Sequence, residues 1–459
     1  METRLIQLIK KYETSGPRYT SYPPAPVFKP DFGPDQYKNQ ILLTEANPST
    51  SDLSLYFHIP FCDTLCYFCG CTTMITRNRN HIDEYVTYLK KEIDFLAPLI
   101  NKDRKVVQLH WGGGTPTYLS PAQIRDLANY IRGSFQIRED AEVSVEVDPR
   151  DLTLDHLRAL RGTGFNRISL GVQDFNTRVQ QAVNRNQSEF ITRQAITWSR
   201  ELGFTSLNVD LIYGLPMQSV ESFSETLDKL IEISPERIAV YNFAYVPWMK
   251  KQQKLIHMED LPSPETKLGI LTMTIDRLTE AGYVYIGMDH FAKPDDELSV
   301  AQQAKTLRRN FQGYSTKAGS DMYGLGMSSI SHFGTSYAQN AKTLPEYYDA
   351  INQGHFATHV GYGMTKDDVL RKTVIMKLMC DCTLVKKEIE QQFEIDFNEY
   401  FSLAMSRLEP LVEDELVLVT PEAITITNDG RLFLRNIAMC FDAYLVEKTV
   451  NRPLYSKTV

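Results

Sequence analysis

Ten consecutive residues, CDTLCYFCGC from Cys62 to Cys71, hold four of the chain's seven cysteines. No other feature restricts the backbone around it as much. On a regular helix Cys62, Cys66 and Cys69 would share one face, but the first and third would stand about 10.5 Å apart at roughly 1.5 Å per residue, too far for one metal centre. The stretch is therefore expected to curl as a loop, and Pro60 before it and Gly70 within it suit a backbone that leaves regular structure. Three converging thiolates take a soft partner, zinc or an iron-sulfur cluster. A structural zinc site normally closes with paired ligands from two separated stretches. The sequence offers no second pair: a single residue separates Cys380 from Cys382, and Cys440 stands alone. Three thiolates on a four-iron cluster leave one iron open, which is a reaction site.

Around this loop the chain alternates. LSLYF (53–57) reads as a strand and precedes the cysteines, and a helical pattern runs from about 83 to 96. VVQLHW (106–111) is the second strand, ending in GGGTPT. The helix after it is well marked, with Ser120 as N-cap, Pro121 at its first position and Gln123 completing a capping box. EVSVEV, RISLGV, TSLNVDLIYG and RIAVYNF follow as strands, each succeeded by a helix, and YVYIG (283–287) offers one strand more. Such alternation means βαβ units and a parallel sheet. Six units fall two short of a closed eightfold barrel, so the expected fold is α/β, a partial (β/α)6 TIM-like barrel, with a doubly wound sheet as the alternative. Tyr56, His58, Gly112 to Thr115, Glu146, Gln173, Asp210 and Asn242 all lie at or just beyond strand C-termini, the active-site face of a barrel.

The expected domains are an irregular N-terminal segment (1–50) broken by prolines and glycines, the barrel (51–360), and a smaller, mostly helical, winged-helix-like C-terminal domain (361–459). From Met364 onward 12 Lys and Arg face 16 Asp and Glu, and the whole chain carries a net charge of -8, which excludes a general nucleic-acid binder. No apolar run approaches the ~20 residues that span a bilayer. The expected location is the cytoplasm, where clustered thiols stay reduced. A monomer is expected.

The spacing C-x-x-x-C-x-x-C, with Phe68 directly before the third cysteine, resembles the signature of the radical S-adenosylmethionine superfamily. That resemblance implies a 4Fe-4S cluster on Cys62, Cys66 and Cys69. Its open iron would chelate S-adenosylmethionine, and reductive cleavage would release a 5′-deoxyadenosyl radical. Longer strings, including GPRYTSYP, SLYFHIPFCDTLCYFCGC, QLHWGGGTPTYL, VEVDPR, GFNRISLGVQDFN, NVDLIYGLP, GMDHFAKPDDEL, NFQGY and RNIAMCFDAYL, resemble the oxygen-independent coproporphyrinogen III oxidases of bacterial haem biosynthesis. The resemblance implies conversion of two propionates of coproporphyrinogen III to vinyl groups, two bound S-adenosylmethionine molecules, and an electron donor and acceptor of unknown identity. Carried over motif by motif, Tyr56, Gly113, Glu146 and Ile330 would contact the first S-adenosylmethionine. Phe68, Gly114, Thr115, Gln173, Arg185, Asp210 and Ala244 would contact the second, and Cys71 would mark the subfamily without ligating. Tyr56 and His58 are the candidate catalytic side chains, able to donate a proton or to pack against the cofactor.

A substrate with four propionates asks for cations, and Arg18, Arg150, Arg308 and Arg309 are available. Trp248, in VPWMKKQQK, departs from the family pattern and would alter the pocket rim. Two rivals stand beside this reading. One is a haem-binding carrier of the same superfamily, against which Cys71 and GPRYTSYP argue. The other is a zinc-stabilised interaction protein.

Overall fold

The computed structural model describes residues 2–47, 52–317, 319–445 and 455–458. Six strands lie side by side, parallel and in chain order: β1 (Leu53–Ile59), β2 (Val106–Gly113), β3 (Ile137–Val147), β4 (Arg167–Gln173), β5 (Ser206–Tyr213) and β6 (Arg237–Asn242). Helices Arg79–Leu96, Pro121–Ser134, Leu154–Gly162, Glu189–Glu201, Val220–Ile233 and Pro264–Glu280 follow them in turn. A doubly wound sheet reverses its strand order partway, and this one does not. The architecture is therefore the partial (β/α)6 barrel.

The curved sheet stays open and is lengthened at both ends to twelve strands. Beyond β6 lie β8 (His290–Ala292) and then β7 (Val284–Gly287), the strand anticipated at 283–287. Beyond β1 lies β9 (Asp321–Leu325), parallel to it, then an antiparallel run of β10 (Ile330–Phe333), β11 (Ser336–Asn340) and β12 (Thr358–Gly363). The expected domain boundary at 360/361 falls inside β12, and the one at 50/51 lies outside the described residues.

Strand alternation sorts side chains between two faces. On β3, Ala141, Val143, Val145 and Val147 are buried against the helices, while Glu142, Ser144 and Glu146 line the concave side. Register then builds tiers across that interior. Tyr56 pairs with His110, His110 with Ser144 and Ser144 with Arg167, and the next tier runs Glu146, Ser169, Asn208, Arg237. The barrel interior is thus polar and holds a cavity of about 640 Å³.

After the barrel come helix Lys366–Asp381, strand Thr383–Val385, helices Lys386–Phe393 and Ser402–Glu413, and the antiparallel pair Val417–Val419 and Ala423–Ile426. The three strands form one small sheet, the order of a winged helix. The N-terminal segment differs from expectation, because it carries helices Glu2–Tyr12 and Pro34–Glu45. Leu5, Leu8, Ile9 and Tyr12 recur at helical spacing and join the hydrophobic cluster of the C-terminal unit. Lys11 Nζ lies 2.7 Å from Asp414 and Tyr12 donates to the same carboxylate. Charged residues between the apolar ones hide this face from a reading that looks for a continuous apolar run.

Candidate active site

Strand β1 delivers Tyr56 and His58 to the cavity because alternate residues Leu53, Leu55, Phe57 and Ile59 are buried on its other face. His58 Nε2 is 2.9 Å from the Thr72 carbonyl, which can only accept, so Nε2 carries the proton. Nδ1 then accepts from the Tyr56 hydroxyl at 3.1 Å. Burial lowers the His58 pKa and lifts that of Tyr56 well above the usual tyrosine value, so both stay neutral. Tyr56 also stacks on His110, with ring centroids 5.9 Å apart. His58 thus pins the far end of the cysteine loop to the barrel wall.

The loop between them closes on itself. Its flanks pair as Phe61–Cys62 beside Met74–Ile75, with Met74 N–H donating to Pro60 at 2.7 Å and Thr76 N–H to Cys62 at 3.1 Å. The end of β2 supports it from below, since Gly114 N–H donates to Ile59 and Thr115 N–H to Phe61, each at 2.8 Å. Gly113 adopts φ +117°, and a Cβ there would stand 2.6 Å from the His58 ring. At Gly114 a Cβ would meet the Pro60 carbonyl at 2.7 Å. Gly113 is required by its left-handed backbone and the His58 ring against it, and Gly114 because one backbone passes directly against the other.

All seven cysteines are free. Cys62 Sγ lies 3.4 Å from Thr115 Oγ1. Burial, with lesser contributions from Cys69 and Cys66, pushes its thiol up to about 12, so a thiolate there calls for cationic compensation. Cys66 Sγ receives Arg150 Nη2 at 3.5 Å and Arg185 Nη1 at 3.6 Å. Asp148 braces both guanidiniums, at 2.6 and 3.0 Å. Burial opposes the charge on Asp148, yet the two arginines hold its pKa down at about 2. Cys69 is drawn below the usual thiol value by its neighbour Cys71, which is itself exposed. Among the described residues no three His, Cys, Asp or Glu side chains gather closely enough for a single metal ion. Thiols that share one closed loop, with two guanidiniums on Cys66, fit a multi-iron cluster better than a closed zinc site.

Glu146 accepts from Gly113 N–H at 3.0 Å and sits 3.3 Å from His110 Nε2. Burial alone would raise its pKa, but His110 and the Gly113 amide hold it below the usual carboxylate range. Its side chain is still 43% exposed toward the cavity, which leaves room for another donor. Asp210 accepts from Ser169 Oγ at 2.9 Å and Asn208 Nδ2 at 2.8 Å, and burial lifts its pKa to about 6.

The main cavity therefore collects Tyr56, His58, Cys71, Glu146, Asp210 and Ile330. Thr115 and Arg185 reach the cysteine sulfurs. Gln173, at φ +69°, packs its amide against Gly171 beside Arg185. Phe68 lies in an apolar cluster with Val179, Val183, Leu215 and Phe243, and Ala244 lines a second cavity of about 390 Å³ with Arg18 and Trp248. Of the four arginines proposed for carboxylates, Arg150 is instead held by Asp148 and Cys66, and Arg308 is exposed.

Sequence reasoning did not single out His110 or Asp148, and it marked VPWMKKQQK for Trp248 alone, not for Lys250, Gln252 or Gln253. Lys250 Nζ, Gln252 Nε2 and Gln253 Nε2 donate to the carbonyls of Cys71, Cys69 and Phe68, fastening the outer side of the loop. Asp148 directly follows a strand, so the rule that chose Glu146 would have found it. The glutamines carry no such signal.

Comparison with known proteins adds family information to this geometry. A model of the radical SAM superfamily matches residues 56–230, and one of the HemN C-terminal domain matches 364–433. The oxygen-independent coproporphyrinogen III oxidase of Escherichia coli K12 is 49% identical over 443 residues, 96% of each chain. Its counterpart in Synechocystis is 47% identical over 457 residues, 99% of this chain and 97% of the relative. A solved structure described as coproporphyrinogen III oxidase (HemN) from Escherichia coli, a radical SAM enzyme, superposes with a TM-score of 0.91, covering 96% of this chain and 99% of that one.

Proposed function

The chain belongs to the oxygen-independent coproporphyrinogen III oxidase family of the radical S-adenosylmethionine superfamily, and on that footing we propose which residues carry each part of the reaction. The reaction is the anaerobic oxidative decarboxylation of two propionate side chains of coproporphyrinogen III to vinyl groups in haem biosynthesis. A 4Fe-4S cluster and S-adenosylmethionine, two molecules of it, supply when bound the one-electron chemistry that removes hydrogen from a propionate side chain.

Cys62, Cys66 and Cys69 hold the cluster, a role supported by their shared, closed loop. Arg150 and Arg185 donate toward Cys66 and offset thiolate charge. Glu146, already pinned by Gly113 N–H, turns its free side to the cavity and accepts from the ammonium of the first S-adenosylmethionine. Tyr56 and Ile330 pack on the same molecule. Asp210 accepts from a ribose hydroxyl of the second, with Phe68, Gly114, Thr115, Gln173, Arg185 and Ala244 around it. Tyr56 and His58 hold the loop in place. The cluster of Phe68, Val179, Leu215 and Phe243 keeps water from the rim.

The carrying observation is that the thiol loop, Glu146 and Asp210 open onto one polar cavity of about 640 Å³. No helix among the described residues is long and apolar enough to cross a membrane. Seven free thiols support a reducing, cytoplasmic setting, and we propose a monomer there with separate electron partners. The test is anaerobic incubation with coproporphyrinogen III, reductant and S-adenosylmethionine. Deoxyadenosine together with a divinyl product is expected, and deoxyadenosine beside an untouched macrocycle would leave only the superfamily standing.

A further inference from the structure

Positive charge accumulates, largely unneutralised, where the N-terminal segment meets β6 and β8. Arg18 lies over the Tyr241 ring at 5.9 Å, and Arg309 over the Tyr314 ring at 4.8 Å. Both tyrosines, and His290 packed edge-on to each, line the main cavity. Arg309 Nε donates to the Arg18 carbonyl at 3.4 Å, so the two arginines are neighbours. Arg435 stands beside them and donates to the carbonyls of Gly16 and Pro17. Among the described residues, the one carboxylate paired with any of the three is Asp289, on Arg18. Carbonyl oxygens bind guanidinium hydrogens without cancelling the charge, so two of the three cations lack a countercharge.

Arg309 and Arg435 are only 8% and 5% exposed. Arg309 Nη1 and His290 Nδ1 are buried with no hydrogen-bond partner. A buried guanidinium with neither countercharge nor a full set of acceptors is strongly unfavourable unless something else supplies them. The same positive field, with burial first, drives the His290 pKa down to about 3, so this ring stays neutral and adds no charge of its own.

We propose that Arg309 and Arg18, backed by Arg435, form an anion site that receives a propionate carboxylate of the substrate. The inference rests on the reading of coproporphyrinogen III as substrate. A carboxylate has two sources here, the macrocycle and S-adenosylmethionine. The site borders Tyr241, His290 and Tyr314, whereas the guanidiniums beside the cysteine loop are Arg150 and Arg185, which favours the macrocycle. A propionate fixed here also explains why an arginine fork is used, since Arg309 offers Nη1 unengaged and Arg18 brings a second guanidinium alongside it.

The experiment uses cluster-loaded Arg309→Gln, Arg18→Gln and Arg309→Lys beside the wild type. For the two glutamine variants the KM for coproporphyrinogen III should rise at least tenfold, while kcat falls less than threefold and S-adenosylmethionine affinity stays within twofold. The lysine variant should recover part of the loss. Without substrate, Arg309→Gln should melt at or above the wild-type temperature, because it removes an uncompensated buried charge, yet show a smaller rise in midpoint when substrate is added. A purely structural arginine would do the reverse, lowering the midpoint and leaving KM alone. An unchanged KM in both glutamine variants, or a loss confined to S-adenosylmethionine binding, overturns the inference. Failure of the wild type to convert coproporphyrinogen III would instead remove the functional reading itself.

Discussion

Replacing Gly114 by alanine places a methyl group between the end of β2 and the start of the cysteine loop. Gly114 has no positive φ, so the penalty is steric alone. The new Cβ would stand 2.7 Å from the carbonyl carbon and oxygen of Pro60 and 2.8 Å from the Phe61 oxygen, about 0.7 Å inside the 3.4 Å at which ordinary contact begins. These are backbone atoms and cannot rotate aside. The Pro60 carbonyl accepts from Met74 at 2.7 Å, and the Phe61 carbonyl from Thr115 at 2.8 Å. Overpacking of this kind costs about 1–3 kcal/mol. Loosening one of those hydrogen bonds adds about 1 kcal/mol. At roughly 1 °C per kcal/mol for a chain of this size, the melting midpoint should fall by about 2–4 °C. Iron bound per chain should fall with it, because Cys62 directly follows the displaced residue. Gly112→Ala is the matched control. Its methyl would meet the Glu146 carboxylate at 2.9 Å, the end of a side chain that can swing into the cavity, so its stability loss should stay below about 1 kcal/mol. Calorimetry and iron analysis on anaerobically purified protein give both readouts. A Gly114→Ala protein with wild-type midpoint and iron content, or a Gly112→Ala protein that is the less stable of the two, would refute the backbone-contact account of the loop.

Three further outcomes are expected. Alanine at Cys62, Cys66 or Cys69 should abolish iron and sulfide binding, whereas Cys71→Ala, at the exposed cysteine, should retain both by metal analysis. Asp210, lifted to about 6 by burial, accepts from a hydroxyl more strongly when ionised, so S-adenosylmethionine affinity should decline as pH falls through about 6; Asp210→Asn should bind more weakly with a flat profile in titration calorimetry. Lys372 Nζ lies 2.6 Å from the neutral His332 ring, and burial lowers its pKa from 10.5 to about 7. Between those values the unfolded chain holds a proton that the folded chain lacks, so stability should rise with pH across the window. Lys372→Met should flatten that slope and stabilise most at pH 7 and below, as denaturant titrations at pH 7 and pH 9.5 would reveal.

The six parallel strands were legible because each alternates between a polar interior and a packed exterior, as in Glu142, Ser144 and Glu146 against Val143, Val145 and Val147. β9 was not, because all five of its residues, DMYGL, are buried and no period survives when both faces are covered. The irregular N-terminal segment likewise hid a helix whose apolar stripe of Leu5, Leu8 and Ile9 has meaning only against the C-terminal unit. At the site, the cysteine spacing and the glycines identify themselves, since few structures need either. His110 acts through Glu146 on another strand, and no spacing along the chain encodes such a meeting; Asp148 was within reach of the strand-end rule, but its pairing with Arg185 was not. Arg150 shows the opposite failure: its charge was visible, but Asp148 and Cys66 already engage it. Arg309 could be nominated from charge, while its unengaged Nη1 required the fold.

The stretch after helix Glu2–Tyr12 and the last described residues run together as a short ribbon, with Thr458 N–H donating to Thr14 at 2.7 Å and Gly16 N–H to Ser456 at 3.1 Å. Arg435 clamps both halves through the carbonyls of Gly16 and Lys457. Arg18 sits two residues past that seam. Affinity handles or fluorophores fused beside Ser456 would therefore tug on the substrate's anchor while leaving the iron-loading loop undisturbed, and comparisons between tagged and untagged preparations should find the difference in KM.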